Sequence, residues 1–340
     1  MTDRAQDLQI FVTNSGWGTA DQAHLAGDAS NRRYLRLRQQ NGACAVLMDA
    51  PPAKGEDIRP FVHIAQHLTS VGLSAPRILA EDPEQGFLLL EDLGDDLFTR
   101  LIERDPGLEP TLYETAIDVL HRLHSAPPPS LKPYDAPVMA PLAALAFDWY
   151  QFGATGHVDT AARDRFSAAF AAILAPLDAG PKVLIQRDYH AENLLWLPQR
   201  TGPARVGLLD FQDAMLGHPA YDLVSVLQDA RRDVPPALEA AMTRRFLDGS
   251  PADPDQFMQA YSVLGAQRNL RILGVFARLC LRDGKAQYVD LIPRVWDHLQ
   301  TNLAHPALSD ISQDLHNQLP PPTPQILDHL KANCATCPDR

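Results

Sequence analysis

The sequence has 340 residues, of which 45% are hydrophobic and 21% charged, and its formal net charge is −12. A chain of this length predicts two domains or lobes with a sizeable buried core, and it excludes a small peptide-like scaffold. The acidic balance disfavours nucleic acid as a partner, and no apolar run approaches the ~20 residues that cross a bilayer. Since the first residues lack a signal-like apolar stretch, we expect a cytoplasmic protein; its oligomeric state stays open.

The first 92 residues are predicted to form a small sheet with one helix. Strand-like runs are RRYLRLRQ, ACAVLMDA and GFLLLED, separated by turn signals such as NG and EDPEQG. The segment RPFVHIAQHLTSVG is predicted to be a helix, because its apolar residues recur at helical spacing. These apolar positions are Phe61, Ile64, Ala65 and Leu68.

From residue 93 the pattern becomes mainly helical. Two buried strands, PKVLIQRD and ARVGLLDF, interrupt it, and the segment LLLEDLGDDL suits a hinge. We therefore predict an α+β fold with an N-terminal lobe over 1–92 and a larger C-terminal lobe over 93–317. A Pro-rich tail over 318–340 is expected to carry a short terminal helix, QILDHLKAN.

The tail ends in the motif CATC, formed by Cys334 to Cys337. Its spacing is that of half a zinc site, but no second Cys or His pair with suitable spacing lies near it. We expect a frayed, exposed tail.

Three polar residues follow buried strand-like runs in a pattern that suits phosphoryl transfer. Asp188 precedes Asn193 by five positions, and Asp210 ends the next strand. Transfer of a phosphoryl group requires metal ions held by hard oxygen ligands, which Asn193 and Asp210 supply. It also requires a carboxylate that orients the attacking hydroxyl and accepts its proton, a role that suits Asp188.

These motifs resemble the protein-kinase catalytic loop and metal-binding motif, written here as QRDYHAEN and DFQ. They are closer still to the aminoglycoside phosphotransferase and choline kinase superfamily, in which a His often lies two residues after the Asp, as His190 does here. The resemblance spans most of the chain. It implies a two-lobed protein-kinase-like fold, with a small β-rich N-lobe and a larger mostly helical C-lobe, that uses ATP and Mg²⁺.

A second resemblance concerns the run GAQRNLRILGVFAR followed by RDGK, over residues 265–285. It is similar to the bacterial kinases of cell-wall recycling, which act on the anomeric hydroxyl of N-acetylmuramic acid and N-acetylglucosamine. The resemblance implies a small-molecule amino sugar as substrate.

The nucleotide-binding elements depart from the kinase pattern. Met48 stands where kinases have the strand lysine, and the segment GDASNRRY has one Gly where protein kinases have three. We expect backbone amides around Ser30 and Asn31, assisted by Arg32 or Arg33, to hold phosphates. The alternative is that both arginines only solvate a strand edge.

Further candidates surround the nucleotide and the substrate. Glu91, Asp92 and Leu93 are expected to dock the adenine base through backbone groups at the hinge. Substrate contacts are predicted for His190, Glu192, Asp213 and Tyr150. Each has a structural alternative: a loop hydrogen bond for His190, a solvated acid for Glu192 and Asp213, and core packing for Tyr150.

Arg268, Arg271 and Arg278 recur at spacings of three and seven residues, which places them on one stripe of a predicted helix. A solvated face with ion pairs is one interpretation. The other is that the stripe meets a carboxylate or phosphate at the substrate site, which its apolar surroundings favour.

Two alternatives to an amino sugar kinase remain open from the sequence. One is a kinase for another small alcohol, such as an aminoglycoside, choline or homoserine. The other is a nucleotide-binding pseudokinase scaffold, suggested by the missing lysine. The joint presence of Asp188, Asn193 and Asp210 favours an enzyme.

Overall fold

The computed structural model describes residues 4–25 and 31–338. Its strands are β1 Asp21–His24, β2 Arg33–Arg38, β3 Cys44–Asp49, β4 Ile78–Asp82, β5 Phe87–Glu91, β6 Val183–Ile185, β7 Leu194–Trp196, β8 Val206–Leu208 and β9 Met215–Gly217. Its helices are α1 Arg4–Asn14, α2 Arg59–Ser70, α3 Phe98–Arg104, α4 Glu109–His124, α5 Ala136–Ala143, α6 Phe152–Thr155, α7 Thr160–Leu174, α8 Ala220–Leu227, α9 Pro236–Asp248, α10 Pro254–Leu281, α11 Ile292–Leu303, α12 Ser309–Gln318 and α13 Pro324–Ala332. None of the helices described is long and apolar enough to span a membrane.

The chain divides into two compact units. Unit 1 contains Met1–Pro129 and Ala191–Ala214, and unit 2 contains Ser130–His190 and Met215–Arg340. A small antiparallel sheet characterises the first, and helices dominate the second. The predicted α+β, protein-kinase-like fold class is confirmed.

Unit 1 is built on an antiparallel sheet with strand order β1-β2-β3-β5-β4. Because side chains alternate along a strand, the sheet has two distinct faces. On one face Leu37, Ala45 and Leu47 pack against α1. On the other, Arg36 and Val46, which are opposite each other in the β2–β3 register, line a cavity.

Helix α2 forms as predicted, with Phe61, Ile64, Ala65 and Leu68 buried. The prediction of a single helix within residues 1–92 is wrong, because α1 is a second one. Val12 is the buried residue of α1, and Leu8 and Phe11 pack beside it on the sheet. So short an apolar stripe gives a weak periodic signal in the sequence. In addition, the surface that it packs against exists only once the sheet has formed.

Unit 2 is organised around α10. A π-helix, Ala146–Gln151, lies against it, and a glycine permits the close approach. A Cβ added at Gly274 would lie 2.3 Å from the carbonyl carbon of Leu145, so any larger residue would force the two segments apart. The strands β6 and β9 pair antiparallel and carry the chain into and out of this unit.

The terminal segment is docked on α10. The backbone N–H groups of Ala335 and Cys337 donate to the carbonyls of Cys280 and Leu281, at 2.9 and 3.0 Å. The Cys334 thiol also donates to the Cys280 carbonyl, at 3.2 Å. The prediction of a frayed, exposed tail is therefore wrong for this segment, because its backbone groups bond the end of α10.

Candidate active site

Unit 1 contains a cavity of about 590 Å³, a volume typical of small-molecule sites. Its apolar lining comes from Leu25, Val46, Phe61, Leu90, Leu195 and Leu209. Polar groups are contributed by Glu91–Asp95, Glu192, Asn193, Asp210 and Gln212. An apolar slot bordered by a few convergent polar groups suits a flat base with a charged tail.

The β7–β8 hairpin brings the two predicted metal ligands together. Asn193 directly precedes β7, and its carbonyl accepts a hydrogen bond at 3.0 Å from the N–H of Leu209, the residue before Asp210. Asp210 has a φ of 56°, a left-handed conformation that is unusual for a non-glycine residue. Gln212 Nε2 donates to Asp210 Oδ1 at 2.7 Å, which orients the carboxylate.

Phe211 anchors the segment that carries Asp210. Its ring is fully buried, and its centroid lies 4.8 Å from that of Phe61 on α2. This contact ties the strained backbone of Asp210 to α2, so strain at the site is stabilised by core packing.

Ion pairs fix the segment Glu91–Asp95, which the sequence predicts to be a hinge. Arg36 Nε lies 2.7 Å from Asp92 Oδ2, and its Nη1 lies 2.7 Å from Asp95 Oδ2. Glu91 accepts from Arg77 and from Arg200, at 3.2 and 2.7 Å. Leu93 lines the cavity between these paired acids. The side chains of Glu91 and Asp92 are thus used within the protein, and the Glu91 N–H donates to the Arg77 carbonyl at 2.8 Å.

The predicted phosphate-binding residues lie near β2. The Asn31 N–H donates to Glu56 Oε1 at 3.1 Å, and Arg33 pairs with the buried carboxylate of Asp49. Ser30 lies outside the described residues. Of the two further acids, Glu192 lines the cavity, and both Glu192 and Asp213 are exposed.

Asp188 lies in unit 2, within a cluster of cations. Arg271 Nη2 on α10 is 3.7 Å from Asp188 Oδ1. Burial acts to raise the pKa of Asp188, but the charges of nearby arginines, first of all Arg271, outweigh it, so the pKa lies below its ordinary value. The carboxylate is therefore ionised at neutral pH and accepts hydrogen bonds.

The backbone before Asp188 is held by α8. Asp222 accepts hydrogen bonds from the N–H groups of Gln186 and Arg187, at 2.6 and 2.9 Å, and Ser225 Oγ donates to the Arg187 carbonyl at 3.1 Å. Arg187 needs this support, because its φ is 72°. The sequence interpretation missed Asp222, although a lone acid in the apolar run AYDLVSVL was a usable signal.

We expect Asp222→Asn to flatten the dependence of protein stability on pH. Burial raises the pKa of Asp222 from 3.8 to about 7. Because the pKa of Asp222 is higher in the folded state, its protonation contributes fully to stability below pH 3.8. The contribution falls by up to roughly 1.4 kcal/mol per pH unit as the pH rises, and it is lost once the pH passes about 7. Urea denaturation from pH 5 to pH 8 measures it.

The matched control for this prediction is Asp297→Asn, an exposed acid on α11. The control should keep the wild-type pH profile. Identical profiles for the wild type and Asp222→Asn would show that Asp222 does not titrate in this range.

His190 is buried and neutral. Arg231 Nη1 lies 3.2 Å from His190 Nε2, and burial lowers the pKa of His190 to about 4. An imidazole whose Nε2 faces a guanidinium accepts a hydrogen bond there, so the proton resides on Nδ1. Any substrate contact of His190 is thus made by an uncharged ring.

The arginine stripe does not form a solvated face. Arg268 is 2% exposed, and its Nη1 donates to the Gln228 carbonyl at 3.2 Å, while Arg271 faces Asp188. Arg278 is half-buried beside Arg282 and Asp283. Tyr150 is fully buried, and its hydroxyl donates to the Pro320 carbonyl at 2.8 Å, so its contacts are those of a core residue.

Asn193 and Asp210 fit a magnesium ion by the chemistry of their donor atoms. Mg²⁺ prefers carboxylate and amide oxygens, and it commonly takes one or two protein ligands together with substrate phosphates. In the part of the chain that the structure describes, no cluster of three or more His, Cys, Asp or Glu side chains is arranged to hold a metal.

Comparison with known proteins identifies close relatives over most of the chain. A model of the phosphotransferase enzyme family matches residues 21–258. An N-acetylmuramate/N-acetylglucosamine kinase of Caulobacter vibrioides is 40% identical, covering 91% of this chain and 95% of the relative. A kinase of the same name from Pseudomonas aeruginosa is 36% identical, covering 90% and 91%.

Solved structures agree on the fold. The crystal structure of the choline kinase LicA from Streptococcus pneumoniae matches with a TM-score of 0.60 at 14% identity, covering 87% of this chain and 99% of that one. At this identity the similarity concerns the fold alone. The predicted resemblance to aminoglycoside phosphotransferases and choline kinases is confirmed.

Proposed function

We propose that this chain, which belongs to the phosphotransferase enzyme family, is an ATP-dependent kinase that phosphorylates the C1 hydroxyl of N-acetylmuramic acid, N-acetylglucosamine or both. The observation that carries the proposal is the partly exposed Asp188 carboxylate, whose Oδ1 lies 3.7 Å from Arg271 Nη2. The names of the two bacterial relatives support an amino sugar as substrate. The product would be the sugar 1-phosphate, which suits a role in cell-wall recycling.

The unit 1 cavity is the proposed nucleotide site. Its apolar lining suits the adenine base, and the backbone of Glu91–Leu93 would provide hydrogen bonds to it. Asn193 and Asp210 would hold Mg²⁺, which neutralises charge on the transferring phosphoryl group when it is bound. The hydrogen bond from Gln212 keeps one Asp210 oxygen oriented for that purpose.

Asp188 is the proposed base. It orients the sugar hydroxyl and accepts its proton as the new O–P bond forms and the bond from the γ-phosphorus to ADP breaks. Its lowered pKa makes it a weak base, which suits an anomeric hydroxyl because such a hydroxyl is more acidic than an ordinary alcohol. Asp222 and Ser225 hold the backbone from which Asp188 projects.

Arg271 is the proposed recognition group for N-acetylmuramic acid. That sugar carries a lactyl carboxylate, which N-acetylglucosamine lacks, and Arg271 lies beside Asp188 with only a small exposed fraction. A charge-assisted hydrogen bond to the carboxylate contributes roughly 1.5–3 kcal/mol.

We expect Arg271→Ala to lower kcat/KM more for N-acetylmuramic acid than for N-acetylglucosamine, by on the order of tenfold. Both substrates should lose some activity, because Asp188 loses its neighbouring cation. The ratio of the two kcat/KM values therefore carries the result. An unchanged ratio would remove Arg271 from carboxylate recognition and leave the kinase assignment standing.

A substrate panel tests the proposed function. ATP consumption should be measured with N-acetylmuramic acid, N-acetylglucosamine, choline, homoserine and an aminoglycoside. Turnover with the two amino sugars is the expected result. Turnover with amino alcohols alone would overturn the substrate, and binding of ATP without turnover of any acceptor would point to a scaffold.

A further inference from the structure

The strand that supplies a phosphate-binding lysine in protein kinases offers no cation here. Val46 of β3 lines the cavity, and Met48, two residues further on the same face, is fully buried. ATP carries concentrated negative charge, so a kinase needs another cation near its phosphates. Within the described part of unit 1, Arg36 and Arg100 line the cavity, and Arg32 and Arg33 lie where β2 begins, beside the cavity-lining Tyr34.

Three of these arginines have other partners or surroundings. Arg100 is exposed, and its charge acts on Asp95. Arg36 lines the cavity, but its guanidinium pairs with Asp92 and Asp95 at the hinge. Arg33 alternates with Tyr34 and so lies on the α1 face, where it pairs with Asp49. Asp49 is 1% exposed and also pairs with Arg4 of α1, so this cluster stabilises a buried charge.

Arg32 directly precedes β2 and interacts with Tyr34, which lines the cavity. Its Nε lies 2.9 Å from Glu56 Oε2. The other oxygen of the same carboxylate accepts the Asn31 N–H at 3.1 Å. Glu56 thus fixes the Arg32 guanidinium through Nε and the adjoining backbone through the Asn31 N–H.

The environment of Arg32 connects it to the cavity. Burial acts to lower the pKa of Arg32, but the Tyr34 hydroxyl and the Glu56 carboxylate outweigh it, so its charge is secure. Tyr34 itself lines the cavity. Both partners of the Arg32–Glu56 pair are mostly buried, at 12% and 13% side-chain exposure, so the pair is more than a flexible surface contact.

We propose that Arg32 supplies the cation for the nucleotide phosphates, and that Glu56 is the positioning residue that holds Arg32 and the Asn31 N–H in place. This inference rests on the proposed use of ATP. The pair takes the role of the strand lysine and its acidic partner in protein kinases, but both members come from loops that flank the sheet. A guanidinium is well suited to it, because its planar fork matches phosphate oxygens.

Calorimetry with ATP, ADP and adenosine tests the proposal. Arg32→Ala should weaken ATP and ADP by on the order of ten- to a hundredfold, with adenosine affinity unchanged. Arg32→Lys should recover part of this loss, since it keeps the charge. Glu56→Gln should weaken ATP by less than Arg32→Ala, because its amide can accept only one of the two contacts. Arg38→Ala, an exposed arginine of β2, is the control and should match the wild type.

Three outcomes would overturn the proposal. Equal ATP affinity in Arg32→Ala and the wild type removes Arg32 from phosphate binding, and a larger loss in Arg33→Ala assigns the role to Arg33. Tighter ATP binding by Glu56→Gln would make Glu56 a competitor of the phosphates. Failure of the wild-type protein to bind ATP would instead contradict the proposed function. Circular dichroism of each variant checks that it is folded.

Discussion

Asp188→Asn is expected to lower turnover by ~10²-fold or more while leaving nucleotide affinity nearly unchanged. The amide has almost the same shape as the carboxylate but cannot accept the proton of the attacking hydroxyl. Nucleotide affinity should persist, because the cavity is lined by residues of unit 1 and Asp188 belongs to unit 2. Steady-state kinetics with saturating amino sugar and calorimetry with ATP measure the two quantities.

The charge of Asp188 also balances buried cations, so stability must be measured beside activity. Without the Asp188 anion, the positive charges of Arg271 and Arg268 lose a compensating negative charge. Some loss of thermal stability is therefore expected. Asp297→Asn, an exposed acid of unit 2, controls for the change from Asp to Asn. Wild-type turnover in folded Asp188→Asn would remove Asp188 from the role of base.

Asp210→Ala is expected to abolish the enhancement of ATP affinity by Mg²⁺. One carboxylate ligand is then missing, and Asn193 remains as a neutral ligand with weaker attraction for the cation. Calorimetric titration of ATP with and without Mg²⁺ gives the enhancement directly. The apolar contacts of the base are unaffected by the substitution, so affinity for adenosine should stay as in the wild type.

Asp21→Ala, an exposed acid on β1, is the matched control for Asp210→Ala. It should bind Mg-ATP as the wild type does. If Asp210→Ala retained the full Mg²⁺ enhancement, the metal would have to be held by other residues, and Asp213, three positions later in an exposed turn, would be the next to test.

The elements of unit 1 that could be predicted are those whose signal is local. The runs that became β2, β3 and β5 are rich in apolar residues and bounded by turns, and α2 has a regular apolar stripe. Helix α1 has a short stripe, and its helical state depends on packing against the finished sheet. The periodicity of one segment gives no information about a packing surface formed by other parts of the chain.

The same limit applies to the site. Asp188, Asn193 and Asp210 belong to short motifs, so spacing within the sequence sufficed to select them. Asp222 bonds a backbone N–H 36 residues away, and Arg36 bonds Asp92 at a separation of 56. Such pairs are created by tertiary packing. The Arg32–Glu56 pair, at a separation of 24, belongs to the same class.

The arginine stripe on α10 shows how burial excludes one of two interpretations of one pattern. Spacing alone puts Arg268 and Arg271 on a common face, and it fits a solvated surface as well as a charged site. Arg268 is buried and Arg271 lies 3.7 Å from Asp188, so the face is not solvated, and contact with substrate stays a prediction.

Phosphorus NMR of the reaction product tests the central claim most directly. The wild-type enzyme should be incubated with ATP and N-acetylmuramic acid or N-acetylglucosamine, and the proton coupling of the new phosphomonoester resonance recorded. We expect coupling to the single anomeric proton, as in a sugar 1-phosphate. Coupling to a methylene pair, as in a 6-phosphate, would contradict it.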